Sequence, residues 1–217
     1  MSLTILLAGA TGLVGSAVLP LLLADERVGK VITVVRRPLP MNHAKLAQWI
    51  GEDLLDALQA EPVDAVICCT GTTIRKAGSQ AAFIAVDKAL PLGLARWSKA
   101  HGVPTFCIIS AIGADARSRI FYSRVKGEVE QELEAMHFSS LALFQPSLLT
   151  GPRSERRFGE RMGIGLMKVL GPLLIGPMAK YRAMPRDVLA LALVHTALDP
   201  QPGTQRLAFG AIKHLAR

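Results

Sequence analysis

The chain has 217 residues, 50% hydrophobic, 5% aromatic and 19% charged, with a formal net charge of +8. That length suits one large domain or two small ones, and half apolar content excludes a disordered chain. Three cysteines exclude a disulfide framework, and five scattered histidines have no metal-ligand spacing, so no metal site is expected.

Residues 1–24 carry no charge and are mostly apolar, which on hydropathy alone would suit a membrane span. Gly9, Gly12, Gly15 and Pro20 interrupt the run, however, so a strand at Leu3–Ala8, a glycine turn and a helix over 12–24 explain it better. The positive n-region and cleavage pattern of a secretory signal are missing. The chain is therefore expected to be soluble and cytoplasmic, with Cys68, Cys69 and Cys107 reduced.

Further strands are predicted at 31–35, weakly at Leu46–Ile50, then at 65–69, Thr105–Ile109 and 141–144, with helices over 81–101 and 121–136. Short apolar runs alternating with helical stretches predict βαβ units. The expected fold class is α/β: one doubly wound parallel sheet, a Rossmann fold, forming a single domain over 1–217. After Pro146 the pattern breaks into a Gly/Pro/Arg-rich stretch, so 147–185 is expected to be a small, irregular C-terminal region capping a substrate pocket. A helix at Arg186–Leu198 and a last strand at 205–209 follow.

The charge is uneven, since residues 151–186 hold eight Lys/Arg against two acids. Such a surface could meet nucleic acid, anionic lipid or an anionic small molecule, and charge alone does not choose; a protein partner at 151–186 is a further expectation. Four glycines and two prolines make a membrane-surface helix a poor reading of 162–179; a pocket lid is plainer. Neither a nucleic-acid partner nor a membrane span is expected.

Three motifs carry chemistry. Gly9-Ala10-Thr11-Gly12-Leu13-Val14-Gly15 joins the first strand to a helix, and glycines there let backbone approach a pyrophosphate at the helix N-terminus. The second strand ends in Arg36-Arg37, 21 residues after Gly15 for Arg36, where an NAD-binding chain would offer a carboxylate to the ribose. No acid occurs between residues 27 and 51, and two guanidiniums suit the 2′-phosphate of NADP(H). Tyr122 and Lys126 stand at i and i+4, on one stripe with Val129, Leu133 and Met136, flanked by glutamates at 128, 130, 132 and 134. Lys126 on a buried face would tune Tyr122 as a proton donor and acceptor, and Ser110, at the end of a strand, would anchor a substrate carbonyl.

With these motifs the chain resembles the short-chain dehydrogenase/reductase superfamily in its atypical, extended-like branch. It is similar to the Tat-interacting oxidoreductase family of NADPH-binding proteins. The resemblance covers roughly residues 4–150 and rests on Cys68-Cys69-Thr70-Gly71-Thr72-Thr73, Lys76-Ala77-Gly78, Val86-Asp87, the Tyr122–Glu130 segment and Phe144-Gln145-Pro146. It implies that Thr11 to Val14 line the pyrophosphate, Arg36 and Arg37 the 2′-phosphate, and Asp53 and Leu54 the adenine. Thr70, Gly71 and Thr72 would border the nicotinamide, Lys126 its ribose, and Pro146, Ser147 and Leu148 its carboxamide. Two departures stand out: Asp87 replaces the superfamily's asparagine, and Gln145 an arginine common in the family. The expected activity is NADPH-dependent reduction of a small carbonyl, with epimerase or dehydratase chemistry drawing on the same residues; the alternative is a non-enzymatic NADPH-binding regulator.

Overall fold

A computed structural model describes residues 2–151 and 182–217. Among them, seven parallel strands form one sheet in the order β3-β2-β1-β4-β5-β6-β9. These are β1 (Leu3–Ala8), β2 (Val28–Val35), β3 (Leu46–Ile50), β4 (Ala65–Cys68), β5 (Thr105–Ile109), β6 (Ser140–Phe144) and β9 (Gly203–Leu207). The helices among the described residues are α1 (Gly15–Ala24), α2 (Ile74–Ala77), α3 (Gln80–Ile84), α4 (Leu90–Ala100), α5 (Phe121–Glu134), α6 (Arg186–Leu198) and α7 (Phe209–Leu215). The doubly wound sheet expected from the alternation is present.

The central strands are apolar throughout because both faces are covered. Ile5 and Leu7 of β1 join a core with α1 and α6, while Leu6 and Ala8 join the opposite core with α4 and α5. The chain runs outward from β1 through β2 and β3, then returns to β4 on the other side of β1. This reversal is the topological switch at which open α/β sheets bind ligands, beyond the strand carboxyl ends. Register aligns those ends, pairing Ala8 with Cys68, Cys68 with Ile108, and Ile109 with Phe144. Gly9, Cys69, Ser110 and Gln145, each the residue after one of these strands, therefore emerge along one edge.

Several boundaries differ from the sequence reading. The first helix begins at Gly15, since residues 9–14 form the turn. The second strand starts three residues early, where Leu3 pairs with Val28. The expected helix over 81–101 is α3, a π-helical turn at Ala85–Ala89, and α4. The last strand lies at Gly203–Leu207, and residues 209–215 are helical. Of the expected capping region, residues 152–181 fall outside those described; its ends form a two-residue parallel pairing of β7 (Leu149–Thr150) with β8 (Met184–Pro185). No described helix is long and apolar enough to cross a membrane.

Candidate active site

A cleft of about 750 Å³ opens over the switch point. Thr11, Gly12, Leu13 and Val14 form one wall, Thr70, Gly71 and Thr72 the next, and Ser110, Tyr122, Lys126 and Asp87 the one beyond. Lys76, Pro146, Ser147, Leu148 and Arg186 also line it.

The turn between β1 and α1 requires glycine at two points. Gly9 has φ of +85°, and a Cβ there would lie 2.7 Å from the Cys69 carbonyl. A Cβ on Gly15 would overlap the Gly9 carbonyl oxygen. Strand and helix are thus in backbone contact. No side chain caps α1 and no acid sits in its first turn, so its positive end is left for an anion.

Helix α5 supplies the third wall. Its stripe buries Val125, Val129 and Leu133, and Lys126 with them at 5% exposed. A buried ammonium is costly unless paired. Its partner is Asp87, 1% exposed, with Oδ1 2.8 Å from Lys126 Nζ. Asp87 Oδ2 also accepts the Thr72 N–H at 2.7 Å, tying the ion pair to the neighbouring wall. Burial pulls the Lys126 ammonium down, but Asp87 and Tyr122 more than offset this and hold it above its ordinary value. Tyr122 is half-buried against Phe83, their ring centroids 5.7 Å apart. Burial pushes its phenol up, with Lys126 opposing and Asp87 reinforcing the shift.

Ser110 is buried at the end of β5, and its hydroxyl donates to Glu130. The sequence pattern sets Glu130 among the flanking glutamates, but it is 4% exposed and faces inward. Gln145 Nε2 donates to both its oxygens at 3.0 and 2.9 Å, and Arg206 Nε approaches at 3.7 Å. Gln145 thus turns toward Glu130 and is not part of the cleft lining. One close approach holds this wall together: a Cβ on Gly127 would overlap the backbone of Asp115 and Ala116, in the loop joining β5 to α5.

Other expected residues lie elsewhere. Arg36 and Arg37 are exposed beyond β2, outside the cleft lining. Asp53 and Leu54 are also outside it; Asp53 Oδ1 accepts the Leu55 N–H at 2.8 Å and Leu54 packs on the core. Sequence reasoning missed Glu130 and Arg186, and saw Asp87 only as a departure. The pattern held a signal for two of them: Asp87 is the only acid between residues 65 and 114, and Glu130 continues the i, i+4 series of Tyr122 and Lys126.

The sequence pattern of the NAD dependent epimerase/dehydratase family matches residues 5–164. The chain belongs to that family. Protein fmp52, mitochondrial, of Aspergillus niger is 32% identical over 207 residues, covering 91% of this chain and 88% of the relative. Protein HTATIP2 of Rattus norvegicus is 31% identical over 222 residues, covering 99% and 89%. Among solved structures, MoeE5 in complex with UDP-glucose and NAD shares 17% identity at TM-score 0.68, covering 98% of this chain and 79% of that one. Human epimerase family protein SDR39U1 with NADPH shares 17% at 0.62, covering 94% and 73%. At such identities the structures share the fold.

These relatives bear out the likeness to the Tat-interacting oxidoreductases. They also correct the expected cytoplasmic location, because several fungal relatives are named mitochondrial. Three free cysteines do not separate cytoplasm from mitochondrion.

Proposed function

We propose that the protein is an NADP(H)-dependent oxidoreductase of the short-chain dehydrogenase type, acting between NADPH and a small carbonyl or hydroxyl substrate with Tyr122 as acid/base. The observation that carries this reading is the buried Lys126, ion-paired to Asp87, in the cleft shared by Tyr122, Ser110 and the glycine turn. A structural lysine would be expected to reach solvent along its stem. The fungal relatives' names favour a mitochondrial setting.

The residues present fit a dinucleotide. Thr11 to Val14 and the open N-terminus of α1 would hold the pyrophosphate, on a turn whose close backbone packing Gly9 and Gly15 permit and where Gly12 lines the cleft. Arg36 and Arg37, exposed at the end of β2, would reach the 2′-phosphate, and Asp53 and Leu54 the adenine edge. Thr70, Gly71 and Thr72, with Pro146, Ser147 and Leu148, would border the nicotinamide. When bound, the reduced nicotinamide supplies a hydride to the carbonyl carbon.

The chain's own residues do the rest. As the carbonyl π pair moves onto oxygen, that oxygen takes the Tyr122 proton, and the phenolate is reprotonated from water. Lys126 would hold the nicotinamide ribose. Ser110 anchors the carbonyl oxygen by turning its hydroxyl away from Glu130, whose carboxylate stays satisfied by Gln145 and Arg206.

Wild-type protein is expected to oxidise NADPH in the presence of at least one member of a panel of aldehydes, ketones and quinones, and Tyr122→Phe to lose about 10²–10⁴-fold of that rate. Unchanged turnover in Tyr122→Phe would remove it from this role. Turnover on no substrate, with NADPH still bound, would favour a cofactor-binding regulator. The family match favours a second reading, epimerase or dehydratase chemistry with the cofactor retained. It predicts conversion of a sugar nucleotide without net NADPH loss. For the cofactor, Arg36→Ala/Arg37→Ala should weaken NADPH far more than NADH; equal weakening contradicts the 2′-phosphate assignment.

A further inference from the structure

Asp87 puts a second full charge into the wall that carries Lys126 and Tyr122. Its position is built by the π-helical turn at Ala85–Ala89, a local widening that often marks functional sites and that separates α3 from α4. The residue is 1% exposed and both its oxygens are engaged, Oδ1 with Lys126 Nζ at 2.8 Å and Oδ2 with the Thr72 N–H at 2.7 Å.

A bare ammonium beside a phenol favours the phenolate, which can take a proton from an alcohol. An ammonium closed by a carboxylate acts as a dipole, whose field on a third group falls off faster than that of a lone charge. We infer that Asp87 cancels most of the Lys126 field at Tyr122, so that the phenol form persists to higher pH than a lone ammonium beside it would allow. The inference rests on the reading of Tyr122 as the acid/base.

The surroundings agree. Lys126, from the same helix, and Asp87, from the π-helical turn, are the charged groups that act on Tyr122, and their effects on the phenol are opposite in sign. Lys76 and Arg186 are the other charged residues of the described lining. Cys68 on β4 lies behind Lys126 and is a neutral thiol, its ionisation pushed up by burial. Phe83 on α3 packs on the Tyr122 ring and adds no charge.

The chain has two tyrosines, Tyr122 and Tyr181. Carbon-13 labelling at tyrosine Cζ therefore gives two resonances, and Tyr122→Phe assigns them. Titration needs no substrate, so it separates this inference from the proposed function, which fails instead if NADPH supports no turnover. In the wild type, Tyr122 should remain a phenol beyond the ordinary tyrosine range of about 10. Asp87→Asn should ionise it at least about one pH unit lower, a tenfold change in proton affinity. A wild-type Tyr122 ionising below about 9, or titrating alike in both proteins, overturns the inference. Should Asp87→Asn fail to fold, Asp87→Asn/Lys126→Met leaves no unpaired buried charge. It should titrate within about half a pH unit of wild type, whereas a rise of about one unit would show the ammonium acting uncancelled and also overturn it.

Discussion

Asp87 and Glu130 are both almost fully buried, one facing α5 and the other on it, yet they are held in different ways. Asp87 answers a buried cation, Lys126, at 2.8 Å within the cleft. Glu130 is held by neutral donors, Ser110 and Gln145, while its nearest cation, Arg206, is 53% exposed and 3.7 Å away. The first arrangement sets the charge of the cleft wall. The second sets the direction of one hydroxyl and directs its remaining charge toward the protein rim. Buried acids of like chemistry thus perform separate tasks, decided by what the neighbouring element brings to them.

Breaking the first pair should have the largest effect. Asp87→Leu leaves the Lys126 ammonium buried and alone, and should cost about 3–5 kcal/mol in urea unfolding. Adding Lys126→Met removes the stranded charge and should restore most of that stability without restoring NADPH-dependent turnover. A mild single substitution would mean that water reaches Lys126 and that the pair is less closed than its burial implies.

Removing Glu130 should cost less. Glu130→Leu strands the Ser110 and Gln145 donors, and a loss of roughly 2 kcal/mol is expected. The same measurement on Glu130→Leu/Gln145→Leu should recover part of it. A loss as large as that of Asp87→Leu would show Glu130 answering a full charge, and would erase the contrast.

Arg206→Ala should cost less than about 1 kcal/mol, because the guanidinium is half in solvent, where its links to Glu130 and Glu134 are screened. Raising the salt concentration should shrink even that difference.

An ion pair outside both clusters sets the floor. Asp25, after α1, accepts hydrogen bonds from Arg27, which hold its carboxyl at about 2 against an ordinary 3.8. A depressed carboxyl stabilises the fold fully above its unfolded value and loses that contribution as the pH falls through the folded one. Asp25→Asn should therefore destabilise by a few tenths of a kcal/mol near neutrality, and the difference from wild type should shrink as the pH falls from about 4 through 2. A difference that does not shrink over that range would mean that the packing of Asp25, not its charge, matters.

The parts of this molecule written in short stretches of chain were legible in the sequence. Strands such as Leu3–Ala8 and Thr105–Ile109 are bounded apolar runs, and the glycine turn lies next to the strand and helix it joins. The 3.6-residue stripe of α5 placed Lys126 on its buried face. What was hidden is non-local or short. One inserted residue makes a π-helical turn without disturbing the apolar pattern, so 81–101 read as a single helix. Residues 209–215 span barely two turns, too few to show a periodic face. The Asp87–Lys126 pair joins two distant segments, and Arg206 meets Glu130 only because β9 lies beside β6 in the sheet. Arg186 enters the cleft lining from the far end of the chain, across residues whose pattern predicts no element.

The central claim is that hydride transfer and proton donation by Tyr122 meet in this one cleft. NADPH deuterated at the transferring position tests it most directly, with the alcohol product of any carbonyl the protein accepts analysed by mass spectrometry. The account predicts deuterium on the former carbonyl carbon with wild-type protein, and formation of that labelled alcohol about 10²–10⁴-fold slower with Tyr122→Phe while NADPH still binds. Unlabelled product from the wild type, or labelled alcohol formed equally fast by both proteins, would contradict it.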